Sequence, residues 1–545
     1  MPRSRTSRSA PSARRLALAG VAAASLLATA GVVAPQQMLA ASRPARRSAA
    51  RQPVIRHVVE IMLENHTFDA LFGHFPGADG IPANVEFPNP DTNYTATPLR
   101  PITAPANVGD TVDTDHNRAA EIMAMDYRPT QLAGGKGFFS GIVPSNSFAP
   151  GRAAWKMNYY TTFPYNGVAS ITNFPPSLLP NETALARDFA LADRNFQPAI
   201  GPTQPNRIYA VAATAKGWIS DTPPPHTLPI RTVFDELQAH GRSWEIYQGD
   251  YDGPPPTPEG AGFVTHWNPA WYTPILADKH LWSHVANTSA FLTALAQGRL
   301  PSFSFVVPTW LYSEHPPTDI ELGDAWIGQL LQAIMHSPQW RSTAVFITYD
   351  EGGGEWDHVS PPIAFRYGYG TRTPMVVVSP WVRPGIIRAT TTNMSILSFM
   401  QHLWHMPALN RLNARQNDLL GDFDFHQTPL APITLPNVPP VTLEASGPGQ
   451  NFAATPGAPY SIQVQAKNAG LSDVTSLSGP LSVTVVPPAG VPAPSVPAGL
   501  DLTDGQASFT MTFPVAGYYR LLLRGPDGSL GWVTIGNGVG NDSTP

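Results

Sequence analysis

Cysteine is absent from all 545 residues. That removes a thiol nucleophile, thiolate-held zinc, iron–sulfur clusters and a cysteine-derived formylglycine. It leaves the compartment open, because exported proteins use disulfides without requiring them. Basic side chains are scarce beyond one end of the chain. Residues 1–52 hold nine of the 34 Lys and Arg residues and no acid, which leaves 25 basic against 39 acidic side chains in the remainder. A body that negative has no bulk electrostatic means of gripping a nucleic-acid backbone, so no nucleic-acid partner is expected. Phosphate could be met there only by a metal ion or by a few placed Arg and His side chains. Beyond Val33 no apolar run is long enough to span a bilayer.

What is present begins with a targeting pattern. Basic residues lead to Arg14-Arg15, an apolar stretch runs from Leu16 to Val33, and small-residue patterns such as Ala28-Thr29-Ala30 and Ala40-Ala41 follow. Residues 1–40 are read as a signal peptide. The stretch is rich in Ala and Gly and barely reaches the ~20 residues of a membrane span, so cleavage, with no stable transmembrane anchor left, is favoured over anchoring. Arg14-Arg15 partly fits a twin-arginine export signal. A secreted, periplasmic or cell-surface location follows as an expectation.

The 60 prolines favour stiff connections over long uninterrupted helices. Across 53–425, short apolar runs (Val54–Leu63, Ser243–Tyr247, Ser302–Val307, Thr343–Tyr349, Pro374–Ser379) alternate with helical patterns such as Ile230, Val233, Phe234, Leu237 and Ile327, Leu330, Leu331, Ile334. Such alternation predicts an α/β domain with a mostly parallel central sheet. Residues 426–440 are proline-rich and read as a linker. Residues 441–545 carry alternating strand patterns without helical periodicity, which predicts an immunoglobulin-like β-sandwich. Its expected role is spacing, packing or surface attachment.

Ligands of open α/β sheets bind at the carboxyl ends of the strands. Two runs end there in adjacent hard donors, Glu64-Asn65 and Asp350-Glu351, suited to one divalent cation. Either pair alone could equally cap a helix or turn. Gly201-Pro202-Thr203-Gln204-Pro205-Asn206-Arg207 precedes a helical pattern, placing the Thr203 hydroxyl near a helix N-terminus, where a phosphoryl group is favoured. Taken alone, Thr203 reads as an ordinary cap. Gly352-Gly353-Gly354 lets the backbone fold tightly over a ligand, so that Asp357-His358 could return toward the cation or the leaving group. His315 is held between Glu314 and two prolines, and Asp115-His116 lies in loop-like sequence.

These residues also carry a resemblance. Glu64-Asn65-His66-Thr67-Phe68-Asp69, Gly201 to Arg207, and Tyr349 to Pro362 are similar to the motifs of the bacterial phosphoesterase family, which includes phosphatidylcholine-type phospholipases C and acid phosphatases; the similarity covers roughly 54–420. The resemblance implies an alkaline-phosphatase-like fold and a phosphoester substrate, a phospholipid among the options. It implies Glu64, Asn65, Asp350 and Glu351 as metal ligands, and Thr203 as a nucleophile on the same metal. His116, His315 and His358 would bind phosphate oxygens or protonate the leaving group. Arg207 would either offset phosphate charge or order the nucleophile loop, and Asp357 and Asp115 are additional candidates. The metal would be divalent, with one or two ions. The single β-domain departs from the paired repeats of the large phospholipases C, leaving a phosphomonoesterase as the alternative. A sulfatase is disfavoured because threonine cannot become formylglycine. No Gly-x-Ser-x-Gly occurs to support a serine hydrolase. A non-catalytic surface-binding protein would be expected to have lost Thr203 or an acid ligand.

Overall fold

Eight strands make the central sheet: β1 (His57–Leu63), β2 (Ala190–Ala192), β3 (Trp244–Gln248), β4 (Val285–Ala286), β5 (Phe303–Val307), β6 (Thr343–Tyr349), β7 (Met375–Val378) and β8 (Gly385–Ile387). Their order is β8-β2-β7-β6-β1-β5-β3-β4, and β7 alone runs against its neighbours. The structure, a computed structural model, describes residues 54–537 except 88, 90–97, 126–156, 163–165, 223, 225, 254–263, 363–367 and 449–451. The expected signal peptide lies outside the described residues. Among those described, no helix is long and apolar enough to cross a membrane.

Apart from the half-buried His57 that opens β1, the central strands are buried, as their mostly apolar runs require when both faces are covered. Five of the strands stand where the sequence patterns put them. The short β2, β4 and β8 have only two or three residues each, too few to show a period. Glu60 interrupts β1; it is fully buried with neither carboxylate oxygen hydrogen-bonded, and burial pushes its carboxyl up to about 8. Helices α1 (Pro180–Asp188), α2 (Thr203–Ala212), α3 (Val233–Ala239), α4 (Ile320–Met335) and α5 (Met394–Leu403) join the same apolar core. Thr232 and Asp235 close a capping box on α3, and Asp319 caps α4 by accepting from Glu321 N.

The register of the sheet sets up the site. β1 and β6 are adjacent and parallel, with Leu63 opposite Tyr349. The next residues, Glu64 and Asp350, therefore leave the same edge of the sheet side by side.

The proline-rich segment 426–440 is docked along its length. Leu430 N donates to Pro380 O, Asn437 N to Asn181 Oδ1, and Gln329 Nε2 to Pro439 O. Beyond it lie β9 (Thr442–Ser446), β10 (Pro459–Lys467), β11 (Ser482–Val486), β12 (Gln506–Thr512), β13 (Gly517–Arg524) and β14 (Leu530–Asn537). They form two antiparallel groups, β11-β13-β14 and β9-β10-β12, joined by one parallel pairing of Thr442 with Leu530. Pro53–Pro545 make one compact unit, β-domain included.

Candidate active site

Three segments meet at the carboxyl ends of β1 and β6. Glu64, Asn65, Asp350 and Glu351 are wholly buried, and Thr203 is 2% exposed. Thr203 opens α2, with Pro202 as the residue before it. Its Oγ1 donates to Glu64 Oε2 at 3.1 Å. The loop ahead of α2 is tied down by Asn206, which accepts from Ala199 N and donates to the carbonyls of Gly201 and Pro202. A threonine at this point is thus fixed by the turn that follows it.

Arg207 lies one helical turn further on, behind the acids. Its Nε contacts Glu64 Oε1 at 2.9 Å and Asp350 Oδ2 at 3.1 Å, while Nη1 and Nη2 donate to the carbonyls of Trp267 and Leu63. With every nitrogen engaged and no exposure, Arg207 orders the carboxylates from behind. The sequence left it either to offset phosphate charge or to order the nucleophile loop; its contacts are instead with the acids and with carbonyls outside that loop.

The hydrogens near Asn65 can be assigned chemically. His315 Nδ1 lies 2.6 Å from Pro316 O, a carbonyl that can only accept, so Nδ1 carries a proton. Burial lowers the pKa of His315, which keeps the ring neutral and its Nε2 an acceptor. The Asn65 amide nitrogen then donates to that Nε2 at 2.9 Å. This orientation points Asn65 Oδ1 at Glu64 Oε2 and Glu351 Oε1, 2.9 Å from each. Three oxygens face one another, and the neighbouring donors, Thr203 Oγ1 on Glu64 Oε2 and His116 Nε2 3.5 Å from Glu351 Oε1, are directed at the outer two and not at Asn65 Oδ1. Rotating the amide would supply donors to both acids but would require a second proton on His315. A hard divalent cation fits the first arrangement, and Asp350 and the Thr203 hydroxyl border the same place. Burial, reinforced by the neighbouring acids, raises the carboxyls of Glu64 and Glu351 well above the usual range.

Asn65 and Glu314 hold φ of 55° and 63°, unusual for residues with a side chain. These kinks turn Asn65 into the oxygen group and present His315 to it. The same burial of Asn65 rules out a glycan at Asn65-His66-Thr67. The glycine run packs against this backbone. A Cβ on Gly353 (φ 58°) would lie 2.4 Å from Asn65 O, and one on Gly354 (φ 69°) 2.7 Å from Asp115 O. The glycines close on protein, whereas the sequence suggested closure over a ligand.

His116 approaches from a separate strap, 107–116. Its Nε2 is 3.5 Å from Glu351 Oε1, and its Nδ1 meets Thr114 O at 2.6 Å and Asp113 Oδ1 at 3.3 Å. Burial alone would lower its pKa; Glu351 and Asp113 outweigh burial and raise it well above the ordinary histidine value. His116 is therefore the protonated ring of the site, and its ring centroid is 6.4 Å from that of His315. Asp115 faces away and accepts from Asn117 N and Nδ2.

Asp357 and His358 go elsewhere. The sequence suggested that they return to the cation, but the structure places them in an adjoining cluster. Arg372 Nε lies 2.8 Å from Asp357 Oδ1 and its Nη2 2.9 Å from Asp69 Oδ1, with Nη1 on the carbonyls of Asp79 and Asp193. His358 Nδ1 meets Asp69 Oδ2 at 2.7 Å and Nε2 meets Asp79 Oδ1 at 3.3 Å. Donor atoms of Asp69, Asp357 and His358 lie within 4.8 Å of one another, a spacing a metal could use. The guanidinium of Arg372 already supplies the positive charge there.

Residues not singled out in sequence brace the site. Gln197 Oε1 accepts from Gly352 N, and its Nε2 donates to Glu121, which also accepts from Gly201 N. Asp221 accepts from Gln204 N, and Glu355 from Thr67 N. Their bracing roles depend on partners distant in sequence, such as Gly352 for Gln197 and Thr67 for Glu355.

Among curated proteins, Non-specific phospholipase C1 of Arabidopsis thaliana is 26% identical over 372 residues, 62% of this chain and 62% of its own length. The chain thus spans under two thirds of that relative. Phospholipase C B of Mycobacterium tuberculosis is 27% identical over 428 residues, 69% of this chain and 78% of its own. Among solved structures, a phosphonate monoester hydrolase from Silicibacter pomeroyi superposes on 53% of this chain and 82% of its own, with 13% identity and a TM-score of 0.29. Residues 55–407, the stretch that carries the acid pairs, Thr203 and both site histidines, match the Phosphoesterase family, and the chain belongs to that family.

Proposed function

We propose that this protein is an exported, metal-dependent phospholipase C-like phosphodiesterase acting through a phosphothreonine at Thr203. The observation that carries the reading is the meeting of Glu64, Asn65 and Glu351 oxygens, each acid oxygen 2.9 Å from that of Asn65, beside the hydroxyl of Thr203. Glu64, Asn65, Thr203, Asp350 and Glu351 would hold one divalent cation, whose charge would stabilise phosphoryl oxygens and favour the ionised hydroxyl. The names of the plant and mycobacterial relatives support a phospholipid diester as substrate. The basic-then-apolar start of the chain supports export.

The residues divide the work. Thr203 Oγ1 attacks phosphorus and its proton passes to Glu64 Oε2, its hydrogen-bond acceptor. The bond from phosphorus to the departing alcohol oxygen breaks as the Thr203 bond forms. His116, held protonated beside Glu351 and Asp113, gives that oxygen a proton. In the second half, water attacks the phosphothreonine, His116 takes the water's proton, and Thr203 leaves with a proton from Glu64. His315 is a positioning residue, fixing the Asn65 amide so that its oxygen faces the acids. Arg207 holds the acids from behind.

The test compares wild type with Thr203→Ala on an aryl phosphodiester, an aryl phosphomonoester and phosphatidylcholine. Loss of turnover by roughly 10³-fold or more in Thr203→Ala is expected, since a nucleophile is removed outright. Turnover within ~10-fold of wild type would refute the covalent route. Preference for the monoester would refute the diester assignment and leave the nucleophile standing.

A further inference from the structure

The strap that carries His116 is held at its other end by the β-domain. Asn107 Nδ2 donates to Tyr518 O at 2.8 Å, and Gly109 N donates to Thr534 Oγ1 at 3.0 Å. Thr534 Oγ1 in turn donates to Asp319 Oδ2 at 3.1 Å. Asp319 is gripped in a fork by Arg520, with Nε on Oδ2 and Nη2 on Oδ1, both at 2.8 Å, and the same Nη2 reaches Glu321 Oε2 at 2.7 Å. Ile320 N closes the node by donating to Gly109 O. Asp319, Arg520 and Thr534 are each at most 5% exposed. The approach is close enough that a Cβ on Gly109 would lie 2.0 Å from Asp319 Oδ2.

From this node the strap runs seven residues to His116. At its far end Thr114 Oγ1 donates to Gly353 O in the glycine run, and His116 reaches Glu351. Two anchors thus fix the strap: one in the glycine loop and one made by β13 and β14. Buried ion pairs with fork geometry hold position well, because both partners lose their solvent and only one arrangement satisfies them.

We infer that Arg520, with Thr534, is a positioning residue for the hydrolytic reaction: the β-domain sets the place of His116 over the acid group, and the domain is a working part of the active site. This rests on the role proposed above for His116. A surface-attachment or spacer domain would need neither bonds from Tyr518 and Thr534 to the strap that carries a site histidine nor a buried fork on the Asp319 that Thr534 also holds.

The test is a double-mutant cycle on the full chain, using Arg520→Met, Thr534→Val and His116→Ala with an aryl phosphodiester. Thr534→Val keeps shape and loses only the hydroxyl that links Gly109 to Asp319, so it serves if Arg520→Met does not fold. Displacing a site histidine by about 1 Å costs up to ~10²-fold, so kcat is expected to fall roughly 5- to 50-fold in either variant, with KM changed less than about twofold. In the His116→Ala background the same substitutions should lower kcat less than about twofold, because the group they position is gone. An equal loss in both backgrounds, or wild-type kcat in the folded variants, overturns the inference. Wild-type kcat in His116→Ala alone overturns the role of His116, and the inference with it. Loss in His116→Ala with none in Arg520→Met or Thr534→Val overturns the inference only.

Discussion

The oxygen group at Asn65 makes a sharp prediction about metal removal and about Glu351→Gln. Glu64 Oε2 and Glu351 Oε1 each lie 2.9 Å from Asn65 Oδ1, so they are no more than twice that distance apart. Two unit charges at such a separation repel by roughly 3 kcal/mol at an effective dielectric of ~20. A bound divalent ion reverses the sign of this term, and it binds the folded chain only. At a free concentration 100-fold above Kd it adds ~2.7 kcal/mol to stability. With an unfolding entropy of ~2.1 cal/mol/K per residue over the roughly 490 residues of the compact unit, that corresponds to a rise of ~2–3 °C in Tm. Glu351→Gln should behave in the opposite way in the two states. Without metal it removes a buried like charge and leaves Tm equal or higher. With metal it loses an anionic donor, and affinity should drop by at least the ~10–100-fold seen when a mere supporting residue is lost. The assay is differential scanning fluorimetry of chelator-treated protein titrated with Mg²⁺, Ca²⁺, Mn²⁺, Fe²⁺, Co²⁺ and Zn²⁺, with metal analysis of the protein as purified. A wild-type Tm indifferent to every ion, together with a lower chelated Tm for Glu351→Gln, would refute the assignment of hydrogens on which the site is built.

Three further predictions concern other parts of the chain. Arg207→Lys keeps the charge but loses the fork, so urea unfolding should show a loss of about 3–5 kcal/mol; an unchanged midpoint with raised KM would instead place Arg207 on substrate. His358→Ala should retain kcat within ~10-fold of wild type while lowering stability by about 1–3 kcal/mol, since its bonds go to Asp69 and Asp79; a kcat loss matching that of His116→Ala would return it to the reaction. Glu60 holds its proton up to about pH 8 when folded and releases it at its ordinary, lower pKa when unfolded. The folded state therefore binds the extra proton between those values, and stability falls as pH rises from ~4.5 to ~8, by about 5 kcal/mol. Glu60→Leu should abolish that slope, and an equal stability difference between variant and wild type at pH 5 and pH 9 would contradict it.

Much of this architecture could be read along the chain. The apolar runs that became β1, β5, β6 and β7 are locally complete signals, because a strand covered on both faces must be apolar throughout. The acids that close β1 and β6, and the threonine ahead of α2, were equally legible as strand-end and helix-start chemistry. Other features depend on partners far away in sequence. Arg207 could serve phosphate or protein until Glu64, Asp350 and two carbonyls were seen around it. Asp357 and His358 follow a glycine run that suggested a loop over ligand, and only the 303-residue reach from Asp69 to Arg372 shows where they are drawn. The segment 426–440 has a linker's composition, yet it docks along its length because α1, α4 and the loop after β7 offer it hydrogen-bonding partners.

Sequence alone determined the residue types that can do this chemistry, since side-chain donors and local periodicity are properties of the chain itself. Tertiary structure decided which of them face one another. Glu64 and Asp350 lie side by side because β1 and β6 share a parallel register, and the Asn65 oxygen is aimed because Pro316 fixes the proton on His315. Thr534 reaches the strap of His116 across 425 residues, with Asp319 and Arg520 behind it, as only packing of the β-domain could arrange. Thr203 was a cap by sequence; the oxygens gathered around it by the fold are what make it a candidate nucleophile.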